Sequence, residues 1–77
     1  MSSFGDSARE DIDWIDSEIT SLIAERIDVV YALTVWKKEN GLPVEQPERC
    51  QEIIDYYIEQ LGDVGEDIAK AILGDVE

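Results

Sequence analysis

One uninterrupted helical pattern covers a large part of this 77-residue chain. Between Ser7 and about Glu39 no glycine or proline occurs, and apolar residues recur at the spacing of one helix face. Those apolar residues are Ile12, Ile15, Ile19, Leu22, Ile23, Ile27, Val30 and Leu33. Ser7 with Glu10 has the capping-box pattern of a helix start, and Gly41 followed by Pro43 is typical of a helix end. The pattern therefore predicts one long helix over residues 7–39.

The length of that helix constrains the rest of the molecule. At ~1.5 Å per residue it extends roughly 50 Å, whereas a globule of this chain length has a radius of gyration near ~11–12 Å. The helix must therefore protrude from its own subunit, and its apolar stripe needs cover from elsewhere. A second copy of the chain is the simplest source of that cover, so we expect an obligate homodimer.

The remaining residues predict two shorter helices and an all-α fold in a single domain, residues 1–77. Residues 41–46 form a loop, and Pro47 suits the first turn of a helix that runs to about Leu61. Residues 62–65 form a turn, and a third helix covers about residues 66–73. Residues 1–6 are expected to be disordered. The inward-facing residues are expected to be Cys50, Ile53, Ile54, Tyr57, Ile58 and Leu61 in the second helix, and Ile68, Ala71 and Ile72 in the third.

The charge balance excludes two classes of partner. The chain has 19 acidic residues against 6 basic ones and no histidine, for a net charge of −13. Nucleic acid and anionic membrane surfaces both require clustered Lys and Arg, so neither is an expected partner. No signal-peptide pattern and no bilayer-length apolar run is present. With Cys50 as the single cysteine, we expect a cytoplasmic protein.

The residue inventory also excludes several kinds of chemistry. Without histidine there is no Ser-His-Asp or Cys-His arrangement, and with a single cysteine there is no zinc site built from Cys and His. The sequence contains no glycine-rich phosphate loop and no dinucleotide fingerprint. We therefore expect neither metal nor cofactor. An enzyme with this composition needs a reaction that proceeds without a strong nucleophile.

The few cations carry the functional signal. Arg26 interrupts the apolar stripe of the long helix, and Lys37 lies eleven residues later within ~20° of the same face. A buried charge is costly unless it is paired, so these residues form either intersubunit salt bridges or an anion pocket. Arg9 lies seventeen residues before Arg26, ~26 Å away along the helix and ~100° around it. Arg9 is therefore either a surface residue or a contributor to the pocket of the partner subunit.

Four segments carry a resemblance to a known family. Residues 9–16 (REDIDWID) resemble the opening of the short helical, AroQ-type chorismate mutases, and residues 22–26 (LIAER) match that family closely. Lys37 falls at the spacing of the family's catalytic lysine. Residues 41–44 (GLPV) followed by residues 47–49 (PER) resemble the stretch that leads into the second helix. The resemblance covers about residues 7–73 and implies three helices per subunit and an intertwined dimer.

The resemblance also implies a reaction and a set of roles. The substrate would be the dianion chorismate, rearranged to prephenate in the shikimate pathway of aromatic amino acid biosynthesis. Arg26 and Arg9 of the partner subunit would bind its carboxylates, and Lys37 would face the ether oxygen, where negative charge grows. Arg49 would order the pocket, which Gln46 and Cys50 would also line. A Claisen rearrangement needs a restrained conformer and charge stabilisation, and it requires no general acid, nucleophile or cofactor.

Departures from the family pattern keep other functions open. Cys50 replaces the family's glutamate, Gln46 replaces a frequent aspartate, and the chain stops at Glu77 before the usual C-terminal glutamine. An apolar residue after Arg49 resembles the isochorismate-pyruvate lyases, so isochorismate is an alternative substrate and 4-amino-4-deoxychorismate is a third. Residues 61–69 resemble the short actinobacterial-type mutases, which implies DAHP synthase as a possible activating partner. A non-catalytic helical dimerisation or regulatory module is the alternative of another class.

Overall fold

The computed structural model describes residues 3–74 and contains three helices. They are α1 (Phe4–Glu39), α2 (Pro47–Leu61) and α3 (Asp63–Leu73), and no strand occurs within the described range. The predicted all-α fold with one long and two shorter helices is thereby confirmed. By its internal contacts the chain divides into two compact units, one reaching Leu33 and the other starting at Thr34. No helix in residues 3–74 is long and apolar enough to cross a membrane.

Helix α1 begins one turn earlier than its sequence pattern predicts. The Asp6 backbone N–H donates to Ser3 Oγ at 3.2 Å, and the Ser7 N–H donates to the Ser3 carbonyl at 3.1 Å. Ser3 is therefore the capping residue, and the predicted capping box at Ser7 is wrong. Ser3 and Asp6 are three residues apart, the same spacing as Ser7 and Glu10 in the predicted capping box. Asp6 also places a negative charge in the first turn, near the positive end of the helix dipole. The expected disorder of residues 1–6 does not extend to residues 4–6, which are helical; Met1 and Ser2 lie outside the described residues.

Helix α1 ends as the sequence predicts. Gly41 adopts a left-handed conformation with φ of +67°, which side chains with a Cβ rarely tolerate. The Leu42 N–H then donates to the Lys37 carbonyl at 2.8 Å, and the Gly41 N–H donates to the Lys38 carbonyl at 3.3 Å. This pair of bonds is the Schellman motif, which satisfies the last carbonyls of a helix. It also turns the chain back toward Lys37.

Helices α2 and α3 pack against each other as a hairpin joined by Gly62 alone. Gly62 has a φ of +76°, and α3 starts at the next residue, so the predicted four-residue turn is wrong. Gly65 lies inside α3 against the backbone of α2, where an added Cβ would lie 2.2 Å from the Tyr57 carbonyl oxygen. That close approach selects the inward face of α3, which is Gly65, Ala69 and Leu73.

The predicted inward faces of α2 and α3 are only partly correct. On α2, Cys50, Ile53, Ile54 and Tyr57 are half-buried, whereas Ile58 and Leu61 are exposed. On α3, Ile72 is half-buried, but Ile68 and Ala71 are exposed. The error on α3 is a rotation by about one residue. The residues of α3 that face α2 begin with Gly65, and a glycine has no apolar side chain that would mark this face in the sequence.

The apolar stripe of α1 is largely uncovered within one chain. Ile12 and Leu22 are 54% and 61% exposed, and no described residue of α1 is buried. Ile23, Arg26 and Val30 are half-buried. Exposure of this many large apolar side chains is unusual for an isolated soluble protein and typical of an interaction surface.

Candidate functional site

An open cleft of about 430 Å³ lies where the loop after α1 meets the start of α2. Its volume falls in the range of small-molecule sites. Two of the predicted site residues, Gln46 and Arg49, line it, together with Pro43 and Pro47. The two prolines restrict the backbone on both sides of this loop, so the cleft is built on a stiff segment.

Lys37 and Gln46 are brought together by the structure. Lys37 is in the last turn of α1 and is half-buried, and its Nζ donates a hydrogen bond to Gln46 Oε1 at 3.2 Å. Gln46 precedes Pro47, which disfavours helical backbone, and it adopts φ −135° and ψ 84°. Its carbonyl accepts the Cys50 N–H at 3.1 Å, so its backbone starts α2 while its side chain reaches back to Lys37.

Arg49 is in the first turn of α2 and is paired within its own helix. Its Nη1 lies 3.2 Å from Glu52 Oε2, and both side chains are about two-thirds exposed, at 65% and 67%. Exposed ion pairs of this kind contribute only ~0–1 kcal/mol. Another carboxylate can therefore displace Glu52 from the guanidinium at little cost.

Cys50 is half-buried next to Arg49 in α2 and does not contribute to the wall of the cleft. A position one residue further along a helix is rotated by ~100°, which turns Cys50 toward the α2 face that also carries Ile53 and Ile54.

Arg9 and Arg26 are not brought together within one chain. Both lie on α1, where seventeen residues correspond to ~26 Å of helix rise. Arg26 is half-buried, whereas Arg9 is exposed and its Nη1 lies 3.9 Å from Asp6 Oδ1. The separation agrees with the geometry expected from the sequence.

Sequence reasoning missed the acidic lining of the cleft. Glu45, Glu48 and Glu52 all contribute to its wall. One available signal was the spacing of Arg49 and Glu52, because residues three apart on a helix are neighbours. Three carboxylates against one guanidinium leave this cleft negative, so a dianion would need further cations. No group of His, Cys, Asp and Glu within residues 3–74 is arranged to hold a metal ion.

Comparison with known proteins gives one match. A family model described as chorismate mutase type II matches residues 8–76, which is nearly the whole chain. No curated protein and no solved structure matches this chain.

Proposed function

Because the chain belongs to the chorismate mutase type II family and is thereby an isomerase, we propose that it converts chorismate to prephenate through Lys37, Arg26, Arg49 and Arg9 of a partner subunit. The observation that carries this assignment is the Lys37–Gln46 hydrogen bond at 3.2 Å. It holds an ammonium group at the end of α1 beside a residue that lines the cleft.

The reaction is an intramolecular shift of electrons. The ether C–O bond breaks while a C–C bond forms, and no proton or second reactant enters or leaves. Lys37 donates to the ether oxygen, where negative charge develops as the C–O bond lengthens. Donors aimed at developing charge are among the largest contributions to catalysis. The arginines bind the two carboxylates and hold the compact conformer in which the reacting carbons meet.

The negative charge of the cleft supports a binding site to which a second chain contributes residues. The cleft carries one guanidinium and three carboxylates, so binding a dianion there requires additional cations. Arg26 is half-buried on α1, and a guanidinium group suits a carboxylate because it can bind it through two parallel hydrogen bonds. We assign the remaining cations to Arg26 and to Arg9 of the partner subunit in a homodimer.

Cys50 favours one alternative reaction. The half-buried thiol stands where the resemblance places a glutamate, and the lyases that act on isochorismate carry an apolar residue there. The same cations would then assist elimination of pyruvate. DAHP synthase remains the proposed activating partner if the chain alone turns over slowly.

Product identification tests the proposal. The purified protein is incubated separately with chorismate and with isochorismate, with and without a DAHP synthase, and the products are separated by chromatography. Prephenate from chorismate supports the mutase. Salicylate with pyruvate from isochorismate, without prephenate, assigns the lyase. No product in any reaction contradicts both and favours an amino-substituted substrate or the non-catalytic dimer.

A further inference from the structure

Gln46 holds the ammonium group of Lys37 directly. Lysine offers three N–H donors and no acceptor, so the glutamine must present its amide oxygen, as the 3.2 Å contact from Lys37 Nζ to Oε1 requires. One donor of Lys37 is used by this bond and two remain. The glutamine side chain makes no capping bond to α2. The Gln46 side chain therefore bonds to Lys37 and does not also cap α2.

The neutrality of this acceptor matters for the chemistry. A carboxylate at the same place would orient the ammonium group, but it would also offset the positive charge that a developing oxyanion needs. An amide oxygen orients the group and leaves its full charge in place. The cleft already has three glutamates in its wall, so a fourth carboxylate would further oppose binding of an anion.

We infer that Gln46 is a positioning residue that aims the Lys37 ammonium group at the reacting oxygen without neutralising it. This inference rests on the proposed function for its consequence in catalysis. The positioning itself is a property of the substrate-free protein and can be measured without turnover.

Two substitutions at Gln46 are distinguished by their effect on KM under this inference. Gln46→Leu removes the acceptor and keeps a similar volume, so kcat falls about 10- to 100-fold through misplacement of Lys37, while KM changes little. Gln46→Glu keeps an acceptor oxygen but adds a negative charge that partly offsets the charge of Lys37, so kcat also falls, and KM rises several-fold because the added carboxylate opposes binding of the dianion. Gln51→Leu is the matched control, because Gln51 also bonds through its side chain on α2, with Nε2 2.9 Å from Asp55 Oδ1.

A double-mutant cycle separates positioning from direct contact with substrate. If Gln46 acts through Lys37, Gln46→Leu costs nothing further in a Lys37→Ala background. Equal costs in both backgrounds would overturn the inference and make Gln46 an independent substrate contact.

The substrate-free readout is side-chain NMR of Lys37 in the full-length protein. Gln46→Leu is expected to increase the mobility of the Lys37 Nζ group and its rate of hydrogen exchange, whereas Gln51→Leu leaves both unchanged. An unchanged Lys37 signal in Gln46→Leu overturns the inference even if the wild-type protein makes prephenate. If the wild type makes no prephenate but Lys37 is released in this variant, the proposed function fails and the positioning is upheld.

Discussion

Both the backbone and the side chain of Lys37 are hydrogen-bonded to the segment between α1 and α2. Its carbonyl accepts the Leu42 N–H at 2.8 Å, and its ammonium group donates to Gln46 at 3.2 Å. The first bond depends on Gly41, whose left-handed backbone completes the end of α1. The side-chain bond restrains the Lys37 rotamer, so if Lys37 acts as the proposed donor, less rotamer entropy is lost when substrate binds.

Replacing Lys37 tests its assignment as the donor to the ether oxygen. Lys37→Ala is expected to lower kcat by about 10²- to 10³-fold, the usual effect of removing one preorganised donor. Lys38→Ala, in the same turn, is the control and should retain activity. The measurement is steady-state kinetics with chorismate, together with light scattering for the oligomeric state. Loss of the dimer rather than of turnover would instead make Lys37 part of an intersubunit salt bridge.

Arg49 is held by Glu52 in the substrate-free protein, and both residues line the cleft. Because the pair is exposed, its attraction is weakened by solvent and salt. Glu52→Gln is expected to lower KM for chorismate several-fold, since it removes both a competitor for the guanidinium and a negative charge. Glu59→Gln, which removes a charge elsewhere on α2, should change KM less. A KM that rises in Glu52→Gln would indicate that the carboxylate holds Arg49 in its productive position.

The α2–α3 hairpin depends on two glycines with different physical roles. Gly62 makes the reversal through a positive φ, whereas Gly65 is helical and is needed because nothing larger fits beside Tyr57. The hairpin fixes the orientation of α2, and the first turn of α2 carries Arg49.

A methyl group at Gly65 would strongly destabilise the hairpin. Its Cβ would lie 2.2 Å from a backbone oxygen, which cannot rotate away as a side chain could. We expect Gly65→Ala to lower the free energy of unfolding by about 2 kcal/mol or more, because the clash exceeds the ~1 kcal/mol helix-propensity gain. Urea unfolding followed by circular dichroism, at matched protein concentrations, measures this.

Gly5→Ala is the matched control for that variant. Gly5 is also helical, but an added Cβ there would meet only Ser3 Oγ at 3.6 Å, an ordinary contact. Its unfolding free energy should stay the same or rise by up to ~1 kcal/mol. Equal effects of the two substitutions would show that Gly65 is not limited by packing.

One chain of this protein has little core of its own. Among residues 3–74 the buried apolar side chains are Ala69 and Leu73, while isoleucines along α1 remain about half exposed. A small domain with so little burial is marginal in isolation and usually gains stability by association. The exposed stripe and the acidic cleft therefore lead to the same proposal, which is that a second copy supplies both apolar cover and Arg9.

Subunit complementation tests that proposal directly. Arg9→Ala and Lys37→Ala homodimers are each expected to be nearly inactive. When the two are unfolded together and refolded, about half of the dimers are mixed, and each mixed dimer contains one intact site. Activity should then recover to about a quarter of the wild-type value.

The control pairs Arg26→Ala with Lys37→Ala. These residues are assigned to the same site from the same chain, so every mixed dimer retains a defect in both sites and activity should not recover. Recovery in this pairing, or its absence with Arg9→Ala, would contradict the assignment of Arg9 to the partner's site.

The sequence alone determined that three helices form and where α1 ends and α2 begins, because helix formation and termination are governed by near neighbours. The period of the apolar residues predicts α1, Gly41 ends it, and Pro47 starts α2 at the position that the structure has. The sequence also singles out Arg26 and Lys37, because these two cations lie on the apolar stripe of α1, and their functional roles stay predictions. The family assignment rests on the resemblance of particular sequence segments and on the family model that matches residues 8–76.

Some features depend on residues that are distant along the chain or on how closely two helix backbones approach, and only the tertiary structure decided these. The inward face of α3 starts at Gly65, whose role is defined by the Tyr57 carbonyl of another helix. The Lys37–Gln46 bond and the acidic wall of the cleft require the loop to fold back, which no local period encodes. Hydropathy ranks residues by transfer from water, and it carries no information about which polar side chains will meet.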